Sequence, residues 1–210
     1  MNKDLNKANL NNLFFISKVL RNITHFVFFG TLLGLTRDGQ LIDGDDDVDI
    51  YVDIQFFNDV LNCLHENDCF ISIKHPYFLQ VEIQGEHVNS YIDFYFYEYV
   101  PDKDYINERW NFQGLPQLKM NHMHVPGFMI YPIKTMKANE IDIFIPNQPE
   151  LICEFLYGKN WKFPLKKHTQ YNILMISNRP KLVVGYVNSL MRFMSFLIKL
   201  KKYVFFKFKL

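Results

Sequence analysis

Apolar residues recur at Leu10, Leu13, Phe14, Ile16 and Leu20 with helical spacing, which predicts an amphipathic helix ending near Asn22. Residues 25–29 form a short apolar run stopped by Gly30, the pattern of a buried strand. A brief helix is expected over residues 31–37, then a turn at 38–40 and an acidic loop. Residues 47–52 alternate: Val48, Ile50 and Val52 share one face, and Asp47, Asp49 and Tyr51 share the other. Phe57, Val60, Leu61 and Leu64 mark a second amphipathic helix. Strand patterns follow at 69–74, 77–84 and 87–100, and shorter strands broken by Pro and Gly are expected at 106–113 and 123–133. A helix begins near Pro149 and stops at Gly158, and a last one covers about 186–202. The sum is a mixed α/β (α+β) domain over residues 1–180 with a helical tail over 181–210.

Composition sharpens this outline. With 49% hydrophobic and 17% aromatic residues, the chain can build a core, and extensive disorder is excluded. The net charge of +1 conceals a division: residues 155–210 hold 12 Lys and Arg and no acid, while all 22 acids lie in the first 154 residues. One part attracts cations and the other anions. Three cysteines without metal-ligand spacing fit a reduced, cytoplasmic protein. The polar start and Lys18 argue against a signal peptide, and no uncharged apolar run is long enough to span a membrane.

The candidate chemistry lies in the acidic loop. Asp45, Asp46, Asp47 and Asp49 crowd into five positions, where like charges raise one another's proton affinity. Asp47 and Asp49 project from one strand face, and Asp93, between Ile92 and Phe94, supplies a third carboxylate from another strand. Hard oxygen ligands of this kind suit Mg²⁺ or Mn²⁺, which would also relieve the repulsion. A solvated acidic turn accounts for Asp43, Asp45 and Asp46 but not for carboxylates within apolar strands. An EF-hand fails, because its glycine and final glutamate positions hold Ile50 and Phe56, or Val48 and Ile54. Just upstream, Gly30 and Thr31 sit where a strand meets a helix N-terminus, a place whose free N–H groups and dipole can seat phosphate.

These residues carry a resemblance. The stretch from Gly30 to Ile50, the strand around Asp93, and the segment from Ile145 to Pro164 resemble the LicD/fukutin-related phosphotransferases. The family's Gly-Thr-Leu-Leu-Gly matches Gly30 to Gly34, its Arg-x-Gly matches Arg37 and Gly39, and its Tyr-Gly-x-x-Trp matches Tyr157, Gly158 and Trp161. Its acidic run matches Asp45 to Asp49, and its later strand carboxylate matches Asp93. The usual Pro-Trp before that run is replaced by Asp43 and Gly44.

The resemblance implies a nucleotidyltransferase-like mixed sheet flanked by helices. It also implies transfer of a phospho-alcohol, phosphocholine-like or a polyol phosphate, from a CDP-activated donor to a glycan or lipid-linked glycan. Asp47, Asp49 and Asp93 would hold the metal, with Asp93 taking the acceptor proton. Gly30 and Thr31 would meet the donor's phosphates. Arg37 is either a phosphate contact or a solvated helix cap. Trp161 is either a stacking platform for base or sugar or a core aromatic. A true nucleotidyltransferase, moving NMP from an NTP, shares the same residue types, and a silent membrane scaffold is a third reading.

The remaining candidates are plainer. Lys166, Lys167 and His168 read as a basic turn, and His122 and His124 as ordinary strand histidines. In the last helix Asn188, Arg192, Ser195, Lys199 and Lys202 make one narrow polar stripe beside a wide apolar face. That pattern predicts peripheral contact with the inner membrane surface, with packing on its own domain or on a second subunit as the competing reading; for nucleic acid no recognised fold or groove is present.

Overall fold

The computed structural model describes residues 2–83, 90–108, 123–138 and 141–164. The expected tail helix, the division at residue 180, His122 and the Lys166–His168 turn lie outside them. The chain divides into two compact units, residues 1–153 and 154–210.

In the first unit, helix α1 (Asn2–Val19) is followed by strand β1 (His25–Val27), helix α2 (Phe29–Asp38) and strand β2 (Asp47–Asp53). A single 3-10 turn leads into α3 (Phe57–Glu66), then β3 (Phe70–His75), β4 (Phe78–Glu82) and β5 (Tyr91–Val100). Strands β6 (Tyr105–Glu108) and β7 (Met123–Pro126), the one-turn helix α4 (Gly127–Ile130) and the hairpin β8 (Lys134–Ala138) and β9 (Ile141–Ile145) complete it. Helix α5 (Pro149–Tyr157) spans the division, and Gly158 ends it at φ 81° with its N–H on Glu154 O at 2.8 Å.

The main sheet runs β1-β2-β5-β4-β3, and β6 pairs with β5 and β7. Its ladders are antiparallel except for the central pair β2–β5, which is parallel and joined through α3 and the β3–β4 hairpin. Parallel strands are covered on both faces. Accordingly β2 is buried from Val48 through Val52, and Tyr51, on the same side as the aspartates, is fully enclosed. This face becomes an aromatic floor: the rings of Tyr51 and Tyr95 lie 5.5 Å apart, Phe28 and Tyr51 4.1 Å, and Phe29 and Tyr95 5.0 Å. Each ring removed from water contributes roughly 1.5–3 kcal/mol. Leu13 and Ile16 of α1, Leu20 just after it, Leu32 and Leu33 of α2, and Val60 and Leu64 of α3 supply further core.

Among the described residues the predicted elements form, with three main differences. Helix α1 starts at Asn2, eight residues before its first apolar marker, and Asn6 and Asn9 in its first half bond to the acidic loop. Residues 127–130 are a helical turn, not strand. The β8–β9 hairpin, with Ile141, Ile143 and Ile145 alternating along its second strand, was not anticipated. Among the described residues no helix is long and apolar enough to cross a membrane.

Candidate active site

Asp49 and Asp93 are register partners on β2 and β5, and they are 5% and 6% exposed. The parallel ladder therefore does what the sequence spacing required, placing two carboxylates side by side from strands separated by some forty residues. Asp47, one pleat earlier on β2 and opposite Tyr91, is half-buried. Carboxylate oxygens of Asp45, Asp46 and Asp47 lie within 4.8 Å of one another.

Asp49 is fastened to the junction between β1 and α2. Its carbonyl accepts from Phe28 N at 3.1 Å, and its N–H donates to Thr31 Oγ1 at 2.9 Å. Its Oδ2 accepts from Gly30 N at 2.9 Å and from Thr31 N at 3.4 Å. The helix N-terminus expected to meet phosphate thus serves a carboxylate of the chain itself. Gly30 leaves room for these carboxylates: a Cβ there would lie 2.7 Å from Asp45 Oδ2 and 3.4 Å from Asp49 Oδ2. The turn into α2 is tight, since Phe29 takes φ 39°, a left-handed value uncommon for a residue with a side chain.

Burial, then mutual repulsion, raises the proton affinity of these acids. Asp45 is pushed up to about 6, by burial and then by Asp46. Asp47 rises to about 7 through burial and the charges of Asp45 and Asp46. Asp49 is held well above the usual carboxylate range by burial, then by Asp47, Asp93 and Asp45. Burial also raises Asp93 strongly, followed by Asp47, while a hydrogen bond from the Gln80 side chain acts in the opposite sense. Gln80 is itself fixed by Ser72, whose hydroxyl donates to its Oε1 at 3.2 Å and to its carbonyl at 3.1 Å. Tyr95, buried beside Asp49 and Asp93, keeps its proton.

Asp45, Asp46 and Asp47 bring carboxylate oxygens together as a divalent cation would need, and Asp49 and Asp93 lie outside that close group. Asp93 Oδ1 is buried without a hydrogen-bond partner among the described residues, and such an oxygen is costly to leave unmatched. A hard cation satisfies it and removes the repulsion among its neighbours.

The remaining candidates are placed as follows. Arg37, in the last turn of α2, forks onto Asp38 with Nε at 3.0 Å and Nη2 at 2.7 Å from its carboxylate. Trp161, in the second unit, is buried; its N–H meets Gly158 O at 3.1 Å, and Lys162 Nζ lies 5.4 Å from its ring centre. His124 stacks on Tyr105 at 4.4 Å across the β6–β7 ladder, as an ordinary strand histidine does. Asp45 is half-buried, whereas its neighbours Asp43 and Asp46 are exposed as solvated turn residues are. Asn6 and Asn9 bond to the acidic loop, and Asn12 and Ser90 extend that chain of bonds; no signal in the sequence pattern singles these four out. Asp43 and Gly44, where the chain departs from the family pattern, are both bonded to Asn6.

The chain is similar to several known proteins. Among solved structures, the lincosamide antibiotic adenylyltransferase LnuA, bound to lincomycin, is similar at 16% identity and a TM-score of 0.48, covering 65% of this chain and 79% of its own. ANT(2")-Ia in complex with adenylyl-2"-tobramycin is 11% identical with a TM-score of 0.48, covering 89% and 97%. A putative nucleotidyltransferase from Thermotoga maritima is 14% identical with a TM-score of 0.39, covering 65% and 76%. A search of curated proteins gave no match. Residues 22–148, which carry β1, α2, the acidic loop and the β2–β5 pair, match the family described as LicD/FKTN/FKRP, nucleotidyltransferase domain. The chain belongs to the LicD family, and its fold is that of a nucleotidyltransferase domain.

Proposed function

We propose that this protein transfers a phospho-alcohol from a CDP-activated donor to a hydroxyl of a glycan or lipid-linked glycan, releasing CMP. The family supports a phosphotransferase-type activity. The observation that carries the metal-dependent form is the in-register pair Asp49 and Asp93, with Asp47 one pleat away and Asp93 Oδ1 unmatched.

Asp47, Asp49 and Asp93 would hold Mg²⁺ or Mn²⁺, with Asp45 beside them. A bound cation supplies charge neutralisation for the donor's diphosphate and for the departing CMP. The chain's own groups do the rest. The aromatic floor of Tyr51 and Tyr95 keeps one side of the site dry, which strengthens electrostatic contacts there. The acceptor oxygen bonds to the phosphorus bearing the alcohol as the bond from that phosphorus to CMP breaks. Asp93 takes the acceptor's proton. Gly30 and Thr31 fix Asp49 in place, and Arg37 is a secondary candidate for donor contact. The basic tail would bring this site to a membrane surface carrying the acceptor.

Incubation with a panel of CDP-alcohols and Mg²⁺ tests the reading, with CMP as the expected product. Transfer of NMP from an NTP is the competing reading, favoured by the family's nucleotidyltransferase domain. Diphosphate release from an NTP, without CMP from any CDP-alcohol, would establish it instead.

A further inference from the structure

Helix α1 lies outside the matched family segment, yet its polar side chains reach the acidic loop. Asn6, Asn9 and Asn12 recur every third residue along one side. Asn9 and Asn12 are each 1% exposed, and a buried amide is unfavourable unless its hydrogen bonds are met. Both Asn9 groups and the Asn12 amide nitrogen find partners, in two separate parts of the site, while Asn12 Oδ1 has none among the described residues. Asn12 Nδ2 donates to Ser90 Oγ at 2.7 Å, the Ser90 hydroxyl donates to Asn9 Oδ1, and Asn9 Nδ2 donates to the Asp45 carbonyl at 2.9 Å. Asn6 adds a bond to Asp43 Oδ1 at 2.8 Å and accepts from Gly44 N at 3.1 Å.

Ser90 immediately precedes β5, three residues before Asp93, and Asp45 opens the carboxylate run. Tyr91 N also donates to the Asp46 carbonyl at 2.9 Å. The relay therefore ties the loop bearing Asp45 and Asp47 to the strand bearing Asp93. Those acids repel one another, so something must hold them at a fixed spacing before a cation arrives.

We infer that α1 is a positioning element of the carboxylate site, and that Ser90, Asn9 and Asn12 set the separation of the loop carboxylates from Asp93. This rests on the metal reading given above. Ser90 touches no reacting atom in this account; it acts through Asp45 and Asp93.

The test uses the full chain without donor, with Mn²⁺ as the probe and free Mn²⁺ followed by electron paramagnetic resonance. Ser90→Ala is expected to raise the Mn²⁺ Kd by roughly tenfold, in the range for residues that orient metal ligands. Melting in EDTA reports the fold separately. Ser17→Ala, which removes a hydroxyl bonded only within α1 to the Leu13 carbonyl, should leave the Kd unchanged. Should Ser90→Ala not fold, Asn6→Ala at the exposed end of the ladder replaces it, with roughly a threefold rise expected as a milder loss of the same kind. A folded variant with the wild-type Kd overturns the inference. Absence of Mn²⁺ binding by the wild type would instead overturn the metal reading on which it rests.

Discussion

The amide of Gly30 points at Asp49 Oδ2 from 2.9 Å, so the first turn of α2 holds a carboxylate of the neighbouring strand. Space at Gly30 and the position of the acids are thus one constraint. In Gly30→Ala the new methyl would meet Asp45 Oδ2 at 2.7 Å, and the Asp45 carboxylate must shift to admit it. The expected result is a Mn²⁺ Kd raised roughly tenfold, as for other changes that displace metal ligands. Isothermal titration checks it, and an unchanged Kd would show that Asp45 has no part in the site.

Thr31 makes the complementary contact, accepting the Asp49 N–H. Thr31→Val keeps the shape and leaves that buried donor unpaired, at a cost of about 1–3 kcal/mol. For a chain of this length that corresponds to roughly 3–10 °C in Tm. Thr31→Ser, which keeps the hydroxyl, should lose much less. Calorimetry of the three proteins in EDTA decides whether the bond matters.

Asp45 and Asp47 have proton affinities raised above their unfolded values, to about 6 and about 7. A raised folded pKa favours the folded state fully below the unfolded pKa and less as pH climbs through the folded one. The metal-free protein should therefore lose Tm between about pH 4 and pH 8. Saturating Mg²⁺ should flatten that decline, since the cation replaces the protons. In Asp47→Asn the EDTA profile should be shallower than in the wild type. A Tm in EDTA that rises steadily across the window would contradict this electrostatic picture.

The basic tail makes its own prediction. Deleting residues from about 186 onward should release the protein from anionic vesicles while turnover on a short soluble acceptor persists. Charge reversal at Arg192, Lys199 and Lys202 should weaken vesicle binding most at low salt, because screening acts within about 8 Å at physiological ionic strength. Vesicle sedimentation across a salt series gives the answer. Unfolding on deletion would assign the tail to the core instead.

Much of this site was legible in the sequence. Period-two alternation put Asp47 and Asp49 on one face, and an acid amid apolar neighbours singled out Asp93. The register that pairs Asp49 with Asp93 was not legible, because parallel pairing depends on the crossover through α3 and the β3–β4 hairpin. Nor was the role of the helix N-terminus. Strand-Gly-Thr-helix looks the same whether its N–H groups serve a phosphate or Asp49. Asn6, Asn9 and Asn12 escaped notice for a related reason: polar residues lower a helix's apolar periodicity, and their partners at Asp43, Asp45 and Ser90 are remote in sequence.

The most direct measurement is ³¹P NMR of the protein with a CDP-alcohol, Mg²⁺ and a hydroxyl-bearing glycan acceptor. The account predicts that the diphosphate signals decay as CMP and a new phosphodiester grow in equal amounts. The reaction should stop in EDTA and fall at least about a hundredfold in Asp49→Asn, as expected when an interaction stabilising the transition state is removed. Transfer that continues undiminished in EDTA or in Asp49→Asn would contradict it.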